Sequence, residues 1–238
     1  MRSSGILMHI TSLPSSGGIG SLGPEAYAFA DFLQASGMRV WQVLPIGPTG
    51  YGESPYQSSS AYAGNPLLIS CQRLREEGLL SFSPEEEFEP IDPESVDYDA
   101  VRVNKNMLLR RCYDQSRERL SGQIAEFIPA NPWVSDFALF TALKEHFGGV
   151  MWTQWPDADI RFRRPNAIAR YRQLLEKEID FHIFCQYLFF RQWFSLKKYC
   201  NERSLLLFGD MPIYVAEDSA DTWTHPEVFQ LDRNLVPK

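Results

Sequence analysis

The sequence predicts an α/β fold built on a parallel β-sheet. Gly5–Ile10 and Val40–Leu44 are apolar runs typical of buried strands, and β-branched and aromatic residues dominate the second run. Between them, Pro24 occupies a position suited to the first turn of a helix, and residues 25–35 carry an apolar stripe that Gly37 ends. A strand, a helix and a strand within about 45 residues form a βαβ unit, which requires parallel strands.

A third strand and several helices are expected further along the chain. Leu205–Pro212 is apolar until an acid appears near its end. Helical patterns between the second and third strands cover about Val101–Leu120, Ser135–Phe147 and Asn166–Glu202, and the last is long enough for two helices. The centre of that last pattern is apolar nearly all round, so we expect it to be buried, with His182 a core histidine rather than a ligand. Residues 216–223 open another helix, with acids in its first turn.

Composition excludes several classes of function. The 238 residues suffice for one α/β domain or one domain with a small insertion, and 44% hydrophobic residues suffice for its core. A net charge of −7 argues against nucleic acid as a partner. The absence of a signal-peptide pattern and of a long apolar run predicts a cytoplasmic protein with no membrane partner. The four cysteines share no C-x-x-C spacing, which disfavours a zinc site or a disulfide framework.

The segment Pro45–Pro66 is the strongest candidate for a binding site. Its prolines and glycines exclude a helix or a strand, and a loop this long is usually functional or disordered. Aromatic and polar side chains alternate in it, and such aromatic content disfavours disorder. They are Tyr51, Glu53, Tyr56, Gln57, Tyr62 and Asn65. Aromatic faces beside short polar groups suit a sugar ring, which has an apolar face and hydroxyls. Tyrosines that only pack on the edge of the sheet are an equally open alternative.

A G-x-G-x-x-G pattern at Gly18–Gly23 is rejected as a dinucleotide fingerprint. Seven residues separate it from the first strand, whereas the fingerprint needs an immediate turn. The second strand also ends in Pro45 rather than in an acid that could bind a ribose hydroxyl.

Polar residues follow the predicted strands at their carboxyl ends, where parallel α/β folds bind ligands. His9 ends the first strand, the tyrosine-bearing loop follows the second, and Asp210 lies at the end of the third. Asp210 is therefore a candidate site residue, with the capping of its own turn as the alternative.

Three blocks of sequence together resemble one family. They are GILMHITSLP from Gly5, WQVLPIGPTGYGESPYQS from Trp41, and GDMPIYVAEDSAD from Gly209. In this order, they are similar to the 4-alpha-glucanotransferases (amylomaltase, or disproportionating enzyme), which are relatives of the α-amylases. The resemblance runs from about Gly5 to Asp232, and it departs from the family at Glu53, where Asp is more frequent.

The resemblance implies the N-terminal part, about three strands, of a (β/α)8 TIM barrel with a helical insertion after the second strand. Residues 1–70 would form the first barrel units with the substrate loop, 71–165 a mostly helical insertion, and 166–238 the return to the barrel. The implied activity is retaining transfer of an α-1,4-glucan segment to another glucan or glucose, with a maltooligosaccharide as substrate. The implied mechanism uses carboxylates and requires neither a cofactor nor a metal.

The resemblance also assigns site residues. Tyr56 matches the tyrosine that stacks on the donor sugar, Asp210 an acid that supports that site, and Tyr51 an aromatic lining the glucan groove. Ser54, Gln57 and Asn65 are expected supports, and His9 is a further candidate for substrate binding. The family's nucleophile Asp, acid/base Glu and third Asp are expected beyond Lys238, so these residues alone are expected to be inactive. On their own, residues 1–238 would expose the edge of the third strand and an apolar inner face of the sheet.

Two other functions stay open at this stage. One is a truncated, non-catalytic module that binds glucans, and the other is a glucan hydrolase built on a related barrel. Product analysis separates transfer from hydrolysis, because only hydrolysis raises the number of reducing ends.

Overall fold

A computed structural model describes residues 3–81 and 95–235. It confirms the predicted parallel sheet, formed by β1 (Gly5–Leu7), β2 (Val40–Gln42) and β3 (Leu206–Phe208) in that spatial order. All three strands are shorter than predicted. Ile10–Ser12 form a 3₁₀ turn that ends the extended chain after β1, although the Met8 N–H still donates to the Gln42 carbonyl over 3.0 Å.

The described helices are α1 (Pro24–Ala35), α2 (Cys71–Glu76), α3 (Tyr98–Ser116), α4 (Ser121–Ala130), α5 (Val134–His146), α6 (Ala158–Arg161), α7 (Pro165–Leu174), α8 (Glu176–Glu202) and α9 (Ala220–Thr224). Of these, α1, α3, α5, α7, α8 and α9 follow the predicted patterns with shifted ends, and α2, α4 and α6 were not predicted. The longest predicted pattern divides at Leu175 into α7 and α8. The helix expected over residues 216–223 begins only at Ala220, because the Ser219 hydroxyl caps it by accepting from the Thr222 N–H.

Two features of residues 71–165 differ from what the sequence indicates. The acidic, proline-containing stretch over residues 75–100 is typical of a solvated connection, but it starts inside α2, and residues 82–94 of it lie outside the described chain. The sequence did not predict α4, because Gly122 and Pro129 are helix breakers that read as loop. None of the described helices is both long and apolar enough to cross a membrane.

The described residues divide into two compact units. The first, which we call the sheet unit, comprises Met1–Ile46, Gly64–Gly122 and Tyr187–Met211. The second, the helical unit, comprises Gly47–Ala63, Gln123–Gln186 and Pro212–Lys238. The boundaries at residues 70 and 165 that the family resemblance implies remain a prediction.

The sheet unit is packed on one face of its sheet. Trp41 on β2 is fully buried, lies edge-to-face on Phe29 of α1 at 5.0 Å between ring centres, and donates from Nε1 to the Met8 carbonyl at 2.8 Å. The opposite face is open. Leu7, Leu206 and Phe208 are 53%, 64% and 59% exposed. The expectation that these strands are buried is therefore wrong for one face. The expected exposure of an apolar face is observed, and its identity as the inner face of a barrel stays a prediction.

The helical unit has its own aromatic core. Phe140 of α5, Trp155 and Trp223 of α9 lie with ring centres 5.6–5.9 Å apart. The Trp223 indole donates to the Ile160 carbonyl over 3.1 Å, and the Arg163 guanidinium lies 4.3 Å from the centre of its ring. These large buried aromatics hold α5, α6 and α9 together, although the Trp155 Nε1 has no hydrogen-bond partner.

All four cysteines are free thiols. Cys112 and Cys200 are buried among apolar side chains, and burial raises the pKa of each thiol to about 11, since the thiolate would be poorly solvated.

Candidate functional site

The loop after β2 is closed by its own backbone. Thr49 and Ser58 form an antiparallel bridge, and the Gly50 N–H donates to the Gln57 carbonyl over 2.9 Å. Inside this closure, the Thr49 hydroxyl donates to the Glu53 carboxylate at 2.5 Å. Glu53 adopts a positive φ of 54°, a backbone conformation that non-glycine residues seldom adopt. The loop is thus a formed structure rather than a disordered connection.

Tyr56 projects from this closed loop. Its N–H donates to the Ser54 hydroxyl at 3.3 Å, while 46% of the residue's surface remains exposed. Gln57 beside it is exposed as well, and its N–H donates to the Ser54 carbonyl over 3.1 Å. The backbone therefore holds Tyr56 and Gln57 in place while their side chains stay accessible. Tyr51 begins a 3₁₀ turn in the same segment.

Contacts to α9 anchor the loop within the helical unit. The Ala220 N–H donates to the Ser59 carbonyl over 2.8 Å, and the Ala61 N–H donates to the Asp221 carboxylate over 2.9 Å. Burial raises the pKa of Asp221 above its ordinary value, and the hydrogen bond from Ala61 partly offsets this shift. Two points of attachment beyond its own bridge keep the loop in one conformation.

Two predicted site residues lie at one edge of the sheet, in the sheet unit. His9 and Asp210 each follow the last paired residue of their strand by two positions, and those last residues, Leu7 and Phe208, are level with each other across β2. Parallel strands place their carboxyl ends at the same edge. The structure therefore supports the prediction that both residues lie where α/β folds bind ligands.

His9 is half-buried and its Nδ1 has no hydrogen-bond partner. Burial lowers the pKa of its imidazole, because the charged form would lose solvation. At neutral pH the ring is therefore neutral and can both donate and accept a hydrogen bond.

Asp210 is exposed, and one of its carboxylate oxygens accepts from the Met211 N–H at 2.8 Å. The alternative that Asp210 caps its own turn is thus observed, yet a carboxylate has room for further donors.

Asn65 is buried and has a local role. Its side-chain oxygen accepts from the Leu67 N–H over 3.0 Å and so caps the 3₁₀ turn Pro66–Leu68, while its own N–H donates to the Ile46 carbonyl. Asn65 therefore joins the two ends of the segment around the tyrosine-bearing loop. Its assignment as a substrate-binding residue stays a prediction.

Sequence reasoning missed Tyr214 and the aromatic partner of Tyr62. Tyr214 follows Asp210 closely and is 83% exposed; an aromatic residue in a short loop after a strand was the available signal. Within the helical unit, Tyr62 stacks on Trp133 at 6.3 Å between ring centres, beside a pocket of about 350 Å³ that also includes Asp136 and Asp221. Trp133 carried no signal in sequence, since it lies about 70 residues from Tyr62.

A parallel sheet, and a structured tyrosine-bearing loop that follows its second strand in sequence, are typical of the class of α/β proteins that bind ligands at strand ends. The 4-alpha-glucanotransferase family profile matches residues 8–235. The chain therefore belongs to the 4-alpha-glucanotransferase family.

Individual relatives agree with this assignment. The chain is 48% identical over 97% of its length to a 4-alpha-glucanotransferase of Synechocystis, and 44% identical over 99% to one of Thermus thermophilus. Its structure superposes with a TM-score of 0.95 and 44% identity on the amylomaltase from Streptococcus agalactiae, which was solved in complex with acarbose. The chain covers 46%, 47% and 48% of these three proteins, so it spans about half the length of the relatives it matches.

Proposed function

We propose that the protein containing residues 1–238 is a 4-alpha-glucanotransferase that moves a segment of α-1,4-glucan to the 4-hydroxyl of another glucan or of glucose. Membership of the family supports this proposal. The observation that carries it is the loop after β2, which presents an accessible Tyr56 from a hydrogen-bonded backbone. A rigid aromatic face loses little conformational entropy when a sugar ring stacks on it.

Four residues take the direct roles in this proposal. Tyr56 stacks on the donor sugar, Tyr51 lines the groove, and the Asp210 carboxylate accepts hydrogen bonds from sugar hydroxyls. Gln57 offers an exposed amide that can donate and accept.

Three further residues act as supports. The Ser54 hydroxyl positions Tyr56 by accepting from the Tyr56 N–H, and Asn65 fixes the end of the loop. The neutral imidazole of His9 offers a hydrogen bond at the edge of the sheet.

Residues 1–238 contribute substrate binding rather than the bond-breaking carboxylates. Retaining transfer requires a nucleophile and an acid/base about 5–5.5 Å apart. We assign neither role to Asp210, and we place both groups outside residues 1–238. In the same proposal, residues 1–70 and 166–238 belong to a (β/α)8 barrel and residues 71–165 to its insertion. The open face of the sheet, with Leu7, Leu206 and Phe208, then faces the barrel interior.

The test is product analysis of the whole protein incubated with maltotriose. Transfer predicts glucose and longer maltooligosaccharides at a constant number of reducing ends. A rise in reducing ends would instead establish the hydrolase alternative.

Two controls accompany this test. Asp210→Asn should lower kcat/KM at least about tenfold, and Asp114→Asn, which neutralises an exposed acid on α3, should leave it unchanged. Turnover by residues 1–238 alone would contradict the placement of the catalytic carboxylates.

A further inference from the structure

Helices α5 and α8 bring three metal-ligating side chains together, away from the tyrosine-bearing loop in sequence. Glu145 comes from the last turn of α5, and Glu178 and His182 come from α8. One ligand atom from each lies within 4.8 Å of the other two. All three residues belong to the helical unit, and no other such group occurs among the described residues.

The helical spacing creates this arrangement. Glu178 and His182 are four residues apart on α8, so their side chains share one face of the helix. Ile179 and Ile183, also on α8, are buried in the same apolar core as Leu143 of α5. This packing holds the two helices against each other, so the three side chains extend from a rigid scaffold rather than from loops.

His182 supplies an independent sign of a missing ligand. The residue is only 8% exposed, and its Nε2 is buried without a hydrogen-bond partner. A buried polar atom without a partner is rare and unfavourable. The Glu145 Oε2 lies 3.4 Å from Nε2 without forming a hydrogen bond with it. A cation between the two atoms would bind both.

The distance fits a shared metal ion. Two ligand atoms bound at about 2.0–2.1 Å to one tetrahedral ion lie about 3.4 Å apart. We propose that Glu145, Glu178 and His182 bind a divalent transition metal, foremost Zn²⁺, with water completing the coordination. One imidazole and two carboxylates form a ligand set that such an ion accepts, whereas Mg²⁺ prefers oxygen ligands alone.

The site would be structural and exchangeable. It would bridge α5 and α8 and so stabilise the helical unit, because an ion bound only by the folded chain shifts the unfolding equilibrium. The Glu145 side chain is half-exposed, which gives the ion a route from solvent. This inference does not depend on the proposed transferase activity.

The experiment uses the whole protein, stripped with a chelator and titrated with Zn²⁺ by calorimetry and thermal unfolding. We expect one ion per chain with micromolar affinity, and a rise in Tm of roughly 5 °C at a hundredfold excess over Kd. Glu145→Gln, Glu178→Gln and His182→Gln should each weaken Zn²⁺ binding tenfold or more. The two glutamates are not buried, so these variants remain folded even if the histidine variant does not.

His225→Gln is the matched control. His225 Nδ1 lies 3.3 Å from the Glu227 carboxylate, a similar pair, but both side chains are exposed and the described residues supply no third ligand. Its Zn²⁺ affinity should equal that of the parent. No binding up to millimolar Zn²⁺, or an unchanged affinity in Glu178→Gln, would overturn the proposal and leave an ordinary His182–Glu145 ion pair.

Discussion

The loops after β2 and β3 follow neighbouring strands of one sheet, yet they are held in different ways. The β2 loop is closed by the Thr49–Ser58 bridge and is attached to α9 at Ala220 and Asp221. Its polar groups are largely engaged with each other, and Tyr56 is presented from a fixed backbone.

The first part of the β3 loop, residues 209–217, is instead mostly exposed. Met211, Ile213 and Tyr214 are among the most exposed apolar residues of the described chain, with Ile213 at 90%. The loop becomes anchored only at Asp218, which pairs with Lys144 at 2.5 Å and accepts from the Trp152 N–H.

The two loops therefore differ in how far contacts among the described residues hold them in place. The β2 loop has formed its own contacts. The β3 loop and the open face of the sheet carry exposed apolar surface, which is typical of a surface that other protein covers. The β2 loop is therefore held by contacts among the described residues, whereas the first part of the β3 loop is mostly exposed.

Gly64→Ala should have the largest effect, because Gly64 packs closely against Phe189 at the end of the β2 loop. An added Cβ would lie 1.9 Å from a ring carbon of Phe189, which is fully buried on α8. Since neither the backbone nor the ring has room to move, we expect a loss of about 3 kcal/mol in the free energy of unfolding. Urea denaturation measures it.

Gly122→Ala is the control for this change. Nothing lies within 4 Å of its added Cβ, and the residue is in α4. Stability should stay unchanged or rise by up to about 1 kcal/mol. Equal effects of the two substitutions would show that close packing at Gly64 is not required for stability.

A smaller effect on stability is expected from His9, which is half-buried at the end of β1. Its lowered pKa means that the unfolded chain binds a proton more readily than the folded chain. Stability contributed by His9 is therefore complete above pH 6.5 and is lost as the pH falls from there towards the folded pKa. The urea midpoint of the parent should fall more between pH 7.5 and 5 than that of His9→Asn. Identical pH profiles would show that His9 is not buried in solution.

Ile213→Ser should have the smallest effect. Because this side chain is exposed, we expect a change below about 0.5 kcal/mol in the stability of residues 1–238. In the whole protein, a loss above about 1 kcal/mol would show that further protein covers the β3 loop. The same small change in both would contradict the contrast between the two loops.

The sequence predicted the positions of strands and helices better than it predicted what packs against them. The parallel strands and most helices follow from periodicity and from glycine and proline at their ends. Composition and periodicity alone predict Leu206 and Phe208 to be buried, and only the family resemblance predicts the exposed apolar face that they form. The turn capped by Asn65 was missed because Asn serves equally well in caps and in binding sites.

The candidate sites show the same limit. Glu178 and His182 are visible as a four-residue spacing on one helix, but Glu145 lies 33 residues before Glu178 and only the packing of α5 on α8 brings it there. Residues close in sequence can be predicted to share a face, whereas partners from separate helices depend on tertiary packing.

The central claim is that the β2 loop presents Tyr56 to stack on a glucan. The most direct measurement is kcat/KM for maltotriose disproportionation by the whole protein carrying Tyr56→Ala or Tyr56→Phe. We predict a loss of about tenfold to a hundredfold for Tyr56→Ala, equivalent to about 1.4–2.8 kcal/mol, and a change within about threefold for Tyr56→Phe, which keeps the ring. Parent-like activity of Tyr56→Ala would contradict the claim.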